Sequence, residues 1–134
     1  MRKLVIYLVD DNDIDIAVNS KLLQLAQIGD EIKVFSTGSD FVNSLKEDRE
    51  ETLAQNNIIL LDIMMPGMTG FETIEHFRNE DEQLFEQFNI FMLSSSIDRN
   101  DIKRAEETPR VFRVLEKPLD VYQLKKAIEG LTLS

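Results

Sequence analysis

The feature that most constrains this chain is a repeated alternation. Short apolar runs alternate with longer stretches whose apolar residues recur at helical spacing. Residues 4–9 are an unbroken apolar run, which suits a strand buried on both faces. Residues 13–27 carry Ile14, Val18, Leu22 and Leu25 at helical spacing, and Gly29 supplies a stop. Residues 32–35 form a second apolar run, interrupted by Lys33. A helix over 39–54 follows, with Phe41, Val42 and Leu45 as its stripe. Strands over 58–61, 90–93 and 111–115 alternate with helices over 69–88, 98–107 and 119–131. Five βα units in series predict an α/β fold: a doubly wound, five-stranded parallel sheet with five helices. The first, third and fourth strands are the most apolar and should be central. Lys33 and Arg113 suit the second and fifth to the edges. That ranking gives the order 2-1-3-4-5.

A chain of 134 residues fits one domain, 1–134, and shows neither a repeat nor an interdomain linker. Its 25 acidic and 15 basic residues leave a net charge of −10. That balance disfavours nucleic acid and anionic membrane as direct partners, since phosphate contacts need clustered Lys and Arg. The absence of Cys excludes disulfides, thiolate metal sites and Cys nucleophiles, and a lone His excludes a multi-His metal site. The longest apolar run is far short of a membrane span, and the N-terminus lacks the long apolar region of a signal peptide. A soluble, cytoplasmic protein is the expectation.

In a parallel sheet, ligands bind at the edge formed by the strand C-termini. The first strand ends at Asp10-Asp11, the third at Asp62, the fourth at Ser94-Ser95-Ser96 and the fifth at Lys117-Pro118. Singly, each has an ordinary structural reading, as a helix cap or a turn residue. Together they put three acids, a hydroxyl and an amine on one small patch. Clustered carboxylates repel one another unless a cation joins them. Oxygen donors without His or Cys suit a hard cation such as Mg²⁺. A metal, an ammonium and a hydroxyl around one carboxylate are what phosphoryl transfer requires, and that carboxylate can itself be the nucleophile.

This ordered set resembles the receiver domain of two-component response regulators. The segment Asp62-Ile63-Met64-Met65-Pro66-Gly67-Met68-Thr69-Gly70 is similar to the D-x-x-M-P-x-M-x-G stretch of that family, and the likeness runs from about Leu4 to Leu131. The resemblance implies a phosphorylation switch rather than a dedicated enzyme. Asp62 would accept a phosphoryl group from a phosphohistidine of a sensor histidine kinase or phosphotransfer protein. Asp11, Asp62 and the Met64 backbone carbonyl would hold Mg²⁺, with Asp10 helping through water. Ser94 and Lys117 would each contact a phosphoryl oxygen, and the Lys117–Pro118 bond would be cis. A downstream protein, or a second copy of the chain, would read the 98–131 face. A receiver excised from a hybrid kinase or a longer regulator is one alternative. A constitutive pseudo-receiver is another, although every acceptor residue is present.

Two departures from the family stand out. The usual aromatic switch position is Val114; either the aromatic switch is absent, or Phe112, two residues earlier and expected on the same face of the strand, replaces it. Thr108-Pro109-Arg110 replaces the usual Gly-Ala before the fifth strand, so that loop should differ in shape.

Other motifs fail on spacing. Asp11-Asn12-Asp13-Ile14-Asp15 starts like an EF-hand loop, but Ile16 and Leu22 occupy the sites that need Gly and Glu. A haloacid-dehalogenase-type phosphatase would carry its D-x-D after the first strand and its acidic pair last. His76, in an acidic helix, reads as a surface residue. Met64, Met65 and Met68 read as packing. Ser94 lacks a G-x-S-x-G elbow, and no phosphate-binding glycine loop is present.

Overall fold

The protein is described by a computed structural model covering residues 2–131 and 133. Five strands, β1 (Leu4–Val9), β2 (Glu31–Phe35), β3 (Asn56–Asp62), β4 (Phe88–Ser94) and β5 (Val111–Glu116), form one sheet in the order β2-β1-β3-β4-β5. Every pairing is parallel. Polarity sorted the strands as expected. Every residue of β3 is buried, whereas β2 and β5 leave residues half-buried or exposed along their lengths.

The helices are α1 (Asp13–Leu25), α2 (Gly38–Ser44), α3 (Arg49–Leu53), α4 (Gly70–Glu80), α5 (Glu82–Phe85), α6 (Arg99–Glu106) and α7 (Val121–Glu129). Two expected helices are each broken in two. The 39–54 segment loosens after Ser44 into i→i−3 turns at Leu45, Lys46 and Glu47. It restarts past Asp48, whose φ of 50° no helix accommodates. The 69–88 segment breaks at Asp81, where φ −156° and ψ 84° end α4. There Asp81 Oδ1 accepts the Leu84 N–H that opens α5. Arg49 Nε donates to the same carboxylate at 2.6 Å, tying α3 to this break.

The sheet separates two apolar layers. One holds α2 to α6 and is aromatic: Phe77 meets Phe88 and Phe85 edge-on at 5.0 and 5.3 Å, and Phe41 and Tyr7 complete the group. The other is mainly aliphatic, with Leu23 of α1 and Leu124 and Ala127 of α7 over Ile6, Leu8, Ile58, Leu60 and Leu93. Tyr7 donates to Asn57 Oδ1 at 3.3 Å, and burial pushes its phenol up to about 12. Asn57 in turn donates to the Thr52 carbonyl at 2.9 Å. This buried amide lets β3 begin at Asn56, two residues earlier than its apolar run.

The expected partnership of Phe112 with Val114 is not what the structure shows. The β4–β5 register slips, pairing Ile90 with Val111 but Phe91 with Arg113, so Phe112 is the extra residue of a bulge. Its ring is 46% exposed and packs edge-on at 5.5 Å against Phe91, which belongs to the aliphatic layer. Val114 packs against the aromatic layer. The 108–110 loop is held by Arg110. Arg110 adopts φ 67°, and its guanidinium bonds the Phe88 carbonyl at 2.9 Å and Asn89 Oδ1 at 3.0 Å.

Close backbone approach places the end of β3. Gly70 N–H donates to the Ile63 carbonyl at 2.9 Å, and a Cβ on Gly70 would lie 2.5 Å from the Asp62 carbonyl oxygen. Gly70→Ala should therefore destabilise the fold by about 1–3 kcal/mol in urea melts, by overpacking. Gly130→Ala, whose nearest neighbour would be at 3.5 Å, is the control and should stay within about 0.5 kcal/mol.

Candidate functional site

The parallel register brings the strand ends together. Asp62 pairs with Leu93, so Ser94 lies one residue beyond it on the next strand. Lys117 N–H donates to the Ser94 carbonyl at 2.8 Å, which fixes the start of the Lys117 side chain beside Ser94. The Lys117–Pro118 bond is cis, as expected. Asp10 follows β1, and its N–H donates to the Phe35 carbonyl at 3.1 Å.

The helix-cap reading of these residues is not met, although Asp10, Asp62 and Ser94 each accept the N–H two residues on, as turn residues do. The cap of α1 is Asn12, whose Oδ1 accepts the Asp15 N–H at 3.0 Å. The cap of α6 is Asp98, and that of α7 is Asp120. Asp10, Asp11, Ser94 and Lys117 are thus left free of capping duty. The loop after Asp62 turns at Gly67, with φ 82°, before Thr69 opens α4 in a reciprocal capping box with Glu72.

Lys117 is the centre of the cluster. Its Nζ lies 2.8 Å from Asp10 Oδ2, 3.0 Å from Asp15 Oδ2 and 3.2 Å from Asp62 Oδ2. Burial works against the ammonium, but its close pairing with Asp10 and Asp15 and the charge of Asp62 outweigh this and raise its pKa. Asp62 behaves differently. Burial pushes its carboxyl up to about 6, with Lys117 opposing the shift and the Asp10 charge adding to it. Asp62 Oδ1 accepts the Met64 N–H at 3.3 Å, and Asp10 Oδ1 accepts the Asn12 N–H at 3.0 Å. The Ser94 hydroxyl is engaged within its own loop. It donates to the Ser96 carbonyl at 2.9 Å and accepts the Ser96 N–H at 3.1 Å.

Asp10, Asp11 and Asp62 can each present an oxygen within 4.8 Å of the others. Asp10 and Asp62 are buried and Asp11 is exposed. Buried Asp10 Oδ2 has no hydrogen-bond partner beyond its ion pair with Lys117. An all-oxygen donor set with an under-satisfied buried carboxylate fits a hard divalent cation.

Asp15 was not singled out from the sequence. The available signal was its place one helical turn after Asp11. Of the three methionines expected to pack, Met65 is buried and Met68 half-buried, but the Met64 side chain is 71% exposed. His76 is half-buried on α4.

The response regulator receiver domain family matches residues 6–129. The chain belongs to that family. The receiver protein of Dyadobacter fermentans is similar in structure, with a TM-score of 0.84 and 28% identity over 94% of this chain and 95% of that one. A two-component response regulator of Cytophaga hutchinsonii also has a TM-score of 0.84 and 28% identity, covering 96% of each chain. A curated relative, the transcriptional regulatory protein AfsQ1 of Streptomyces coelicolor, is 30% identical over 96 residues. Those residues are 71% of this chain and 36% of that protein, so the chain matches about a third of the relative's length. Among the described residues of this receiver domain, no helix is long and apolar enough to cross a membrane.

The raised Asp62 carboxyl has a sign that can be measured. Folded Asp62 binds a proton more tightly than unfolded Asp62, so stability falls as pH rises from about 4 to about 6 and stays reduced above. Without divalent cations, Asp62→Asn should be more stable than the wild type at pH 7, by about 1–2 kcal/mol. The gain should vanish near pH 4, and denaturant melts at the two pH values check both parts.

Proposed function

We propose that this receiver domain is a phosphorylation-activated signalling switch with Asp62 as its phosphoacceptor. The observation that carries the reading is Asp62 itself: a buried carboxylate at the centre of the sheet edge, raised towards neutrality, 3.2 Å from a lysine ammonium. Lys117 lowers this carboxyl, but burial outweighs it. Here a nucleophile is kept unsatisfied, as at sites that await a further cation and an incoming electrophile.

In this reading Asp62 attacks the phosphorus of a phosphohistidine on a sensor histidine kinase or phosphotransfer protein. The new P–O bond forms as the P–N bond breaks, and the electron pair leaves with the imidazole. Asp11, Asp62 and the Met64 backbone carbonyl would hold Mg²⁺, with Asp10 alongside. The bound cation would neutralise charge on the transferring group. Lys117 presents its ammonium to one phosphoryl oxygen. Ser94 presents its hydroxyl to another, and to do so must give up the Ser96 carbonyl. That exchange couples the chemistry to the 95–98 loop, and through it to α6.

The protein acts on itself, accepting and later hydrolysing its own phosphoryl group, and is not a dedicated enzyme. Its signal leaves by protein contact at the 98–131 face, to a downstream protein or to a second copy of the chain, in the cytoplasm. With Val114 in place of an aromatic residue, and Phe112 seated on Phe91, the reading assigns no ring rotation to β5. The match to about a third of the AfsQ1 relative supports a second arrangement, in which the same single domain, 1–134, is the receiver portion of a longer regulator.

Incubation with acetyl phosphate and Mg²⁺ should add about 80 Da to the intact mass. The gain should be absent in Asp62→Asn and after removal of Mg²⁺ by a chelator. No gain in the wild type, or an equal gain in the variant, overturns the assignment.

A further inference from the structure

A lysine ammonium has three N–H donors, and three carboxylates crowd Lys117 at 2.8 Å (Asp10), 3.0 Å (Asp15) and 3.2 Å (Asp62). Two have roles in the reading above, and Asp15 has none. It comes from the first turn of α1, and the bond it accepts from Lys117 spans 102 positions of sequence. It also lies outside the Asp10–Asp11–Asp62 group that converges on a cation position.

We propose that Asp15 is a positioning residue for phosphoryl acceptance: it holds the Lys117 ammonium at the mouth of the site while Asp62 changes from a carboxylate to an acyl phosphate. The inference rests on the function proposed above. When an Asp62 oxygen bonds to phosphorus, the donor group leaves with the electron pair of the bond that breaks. Asp62 thereby loses the charge that attracted Lys117, and the new negative charge lies farther out, on the phosphoryl oxygens. Lys117 must move one N–H outward without collapsing inward. Asp10 is fully buried and draws the ammonium into the protein. The Asp15 side chain is 39% exposed and draws it towards the rim, where the phosphoryl group arrives. Asp10 and Asp15 together leave one N–H to be passed from Asp62 to a phosphoryl oxygen.

Acceptor geometry and charge make opposite forecasts. If Asp15 mattered only as a negative charge repelling an anionic donor, its removal would speed phosphorylation. If it positions Lys117, its removal slows phosphorylation, and a neutral acceptor of the same shape restores it.

The full chain is treated with acetyl phosphate and Mg²⁺, and the rate of mass gain is followed at several donor concentrations. Asp15→Ala should lower the rate at saturating donor about tenfold, and Asp15→Asn should recover most of it. Mg²⁺ affinity, measured by calorimetry without donor, should change less than about twofold in either variant. A second readout needs no phosphorylation. The Lys117 ammonium signal in ¹H–¹⁵N spectra, assigned by its loss in Lys117→Met, should shift or broaden in Asp15→Ala and be retained in Asp15→Asn. Wild-type or faster phosphorylation in Asp15→Ala overturns the proposal, as do equally slow Ala and Asn variants. If the wild type takes no phosphoryl group on Asp62, the receiver function itself falls, and the ammonium signal still reports whether Asp15 holds Lys117.

Discussion

The arrangement of the strand ends depends on one ammonium. Asp10, Asp15 and Asp62 arise from β1, α1 and β3, and their mutual repulsion would splay the central strands apart at that edge. Lys117 prevents this by reaching from the end of β5 to all three. Its backbone is fixed by the Ser94 carbonyl, so the cation is delivered from a rigid position. Lys117 does not fully offset burial, and Asp62 is still raised to about 6. The fold therefore tolerates an unfavourable group at its centre, which is a mark of a site shaped for chemistry rather than for stability.

In the proposed function, that burial would be put to use. A divalent cation would offset the charge of the carboxylate, and phosphoryl transfer would convert it to an acyl phosphate. The transfer would also free one Lys117 N–H from Asp62 and take the Ser94 hydroxyl from the Ser96 carbonyl. Contacts on β4 and β5 would then change with the chemistry.

The architecture was legible in the sequence because burial follows polarity. Lys33 and Arg113 marked the edge strands, and the unbroken apolar runs marked the central ones. The gathering of the candidate residues Asp10, Asp11, Asp62, Ser94 and Lys117 at one sheet edge was legible because each lies at or within two residues of a strand end, and parallel pairing must bring such positions together. What was hidden depends on tertiary context. Asp48 and Asp81 break their helices through backbone conformations that no periodicity encodes. Asn56 and Asn57 lie in a strand because their amides are satisfied by distant partners. Phe112 follows a register slip between two strands, and period-two reasoning cannot foresee a bulge. Asp15 reads as an ordinary acid in the first turn of a helix until Lys117 arrives from 102 positions away.

The joint at Asp81 has a mechanical consequence. One residue ends α4, opens α5 and grips Arg49 of α3, while α4 buries four side chains along its length, Phe71, Thr73, Ile74 and Phe77. That half of the aromatic layer is braced at the end remote from the strand C-termini. Helix α6 buries only Ala105 and meets α4 through Arg104, whose guanidinium lies 4.3 Å from the Phe71 ring centroid. Stiffness is thus distributed unevenly across one face of the sheet. In the proposed switch, a displacement imposed at Ser94 would pass more readily into α6 than into α4, which would serve as its frame.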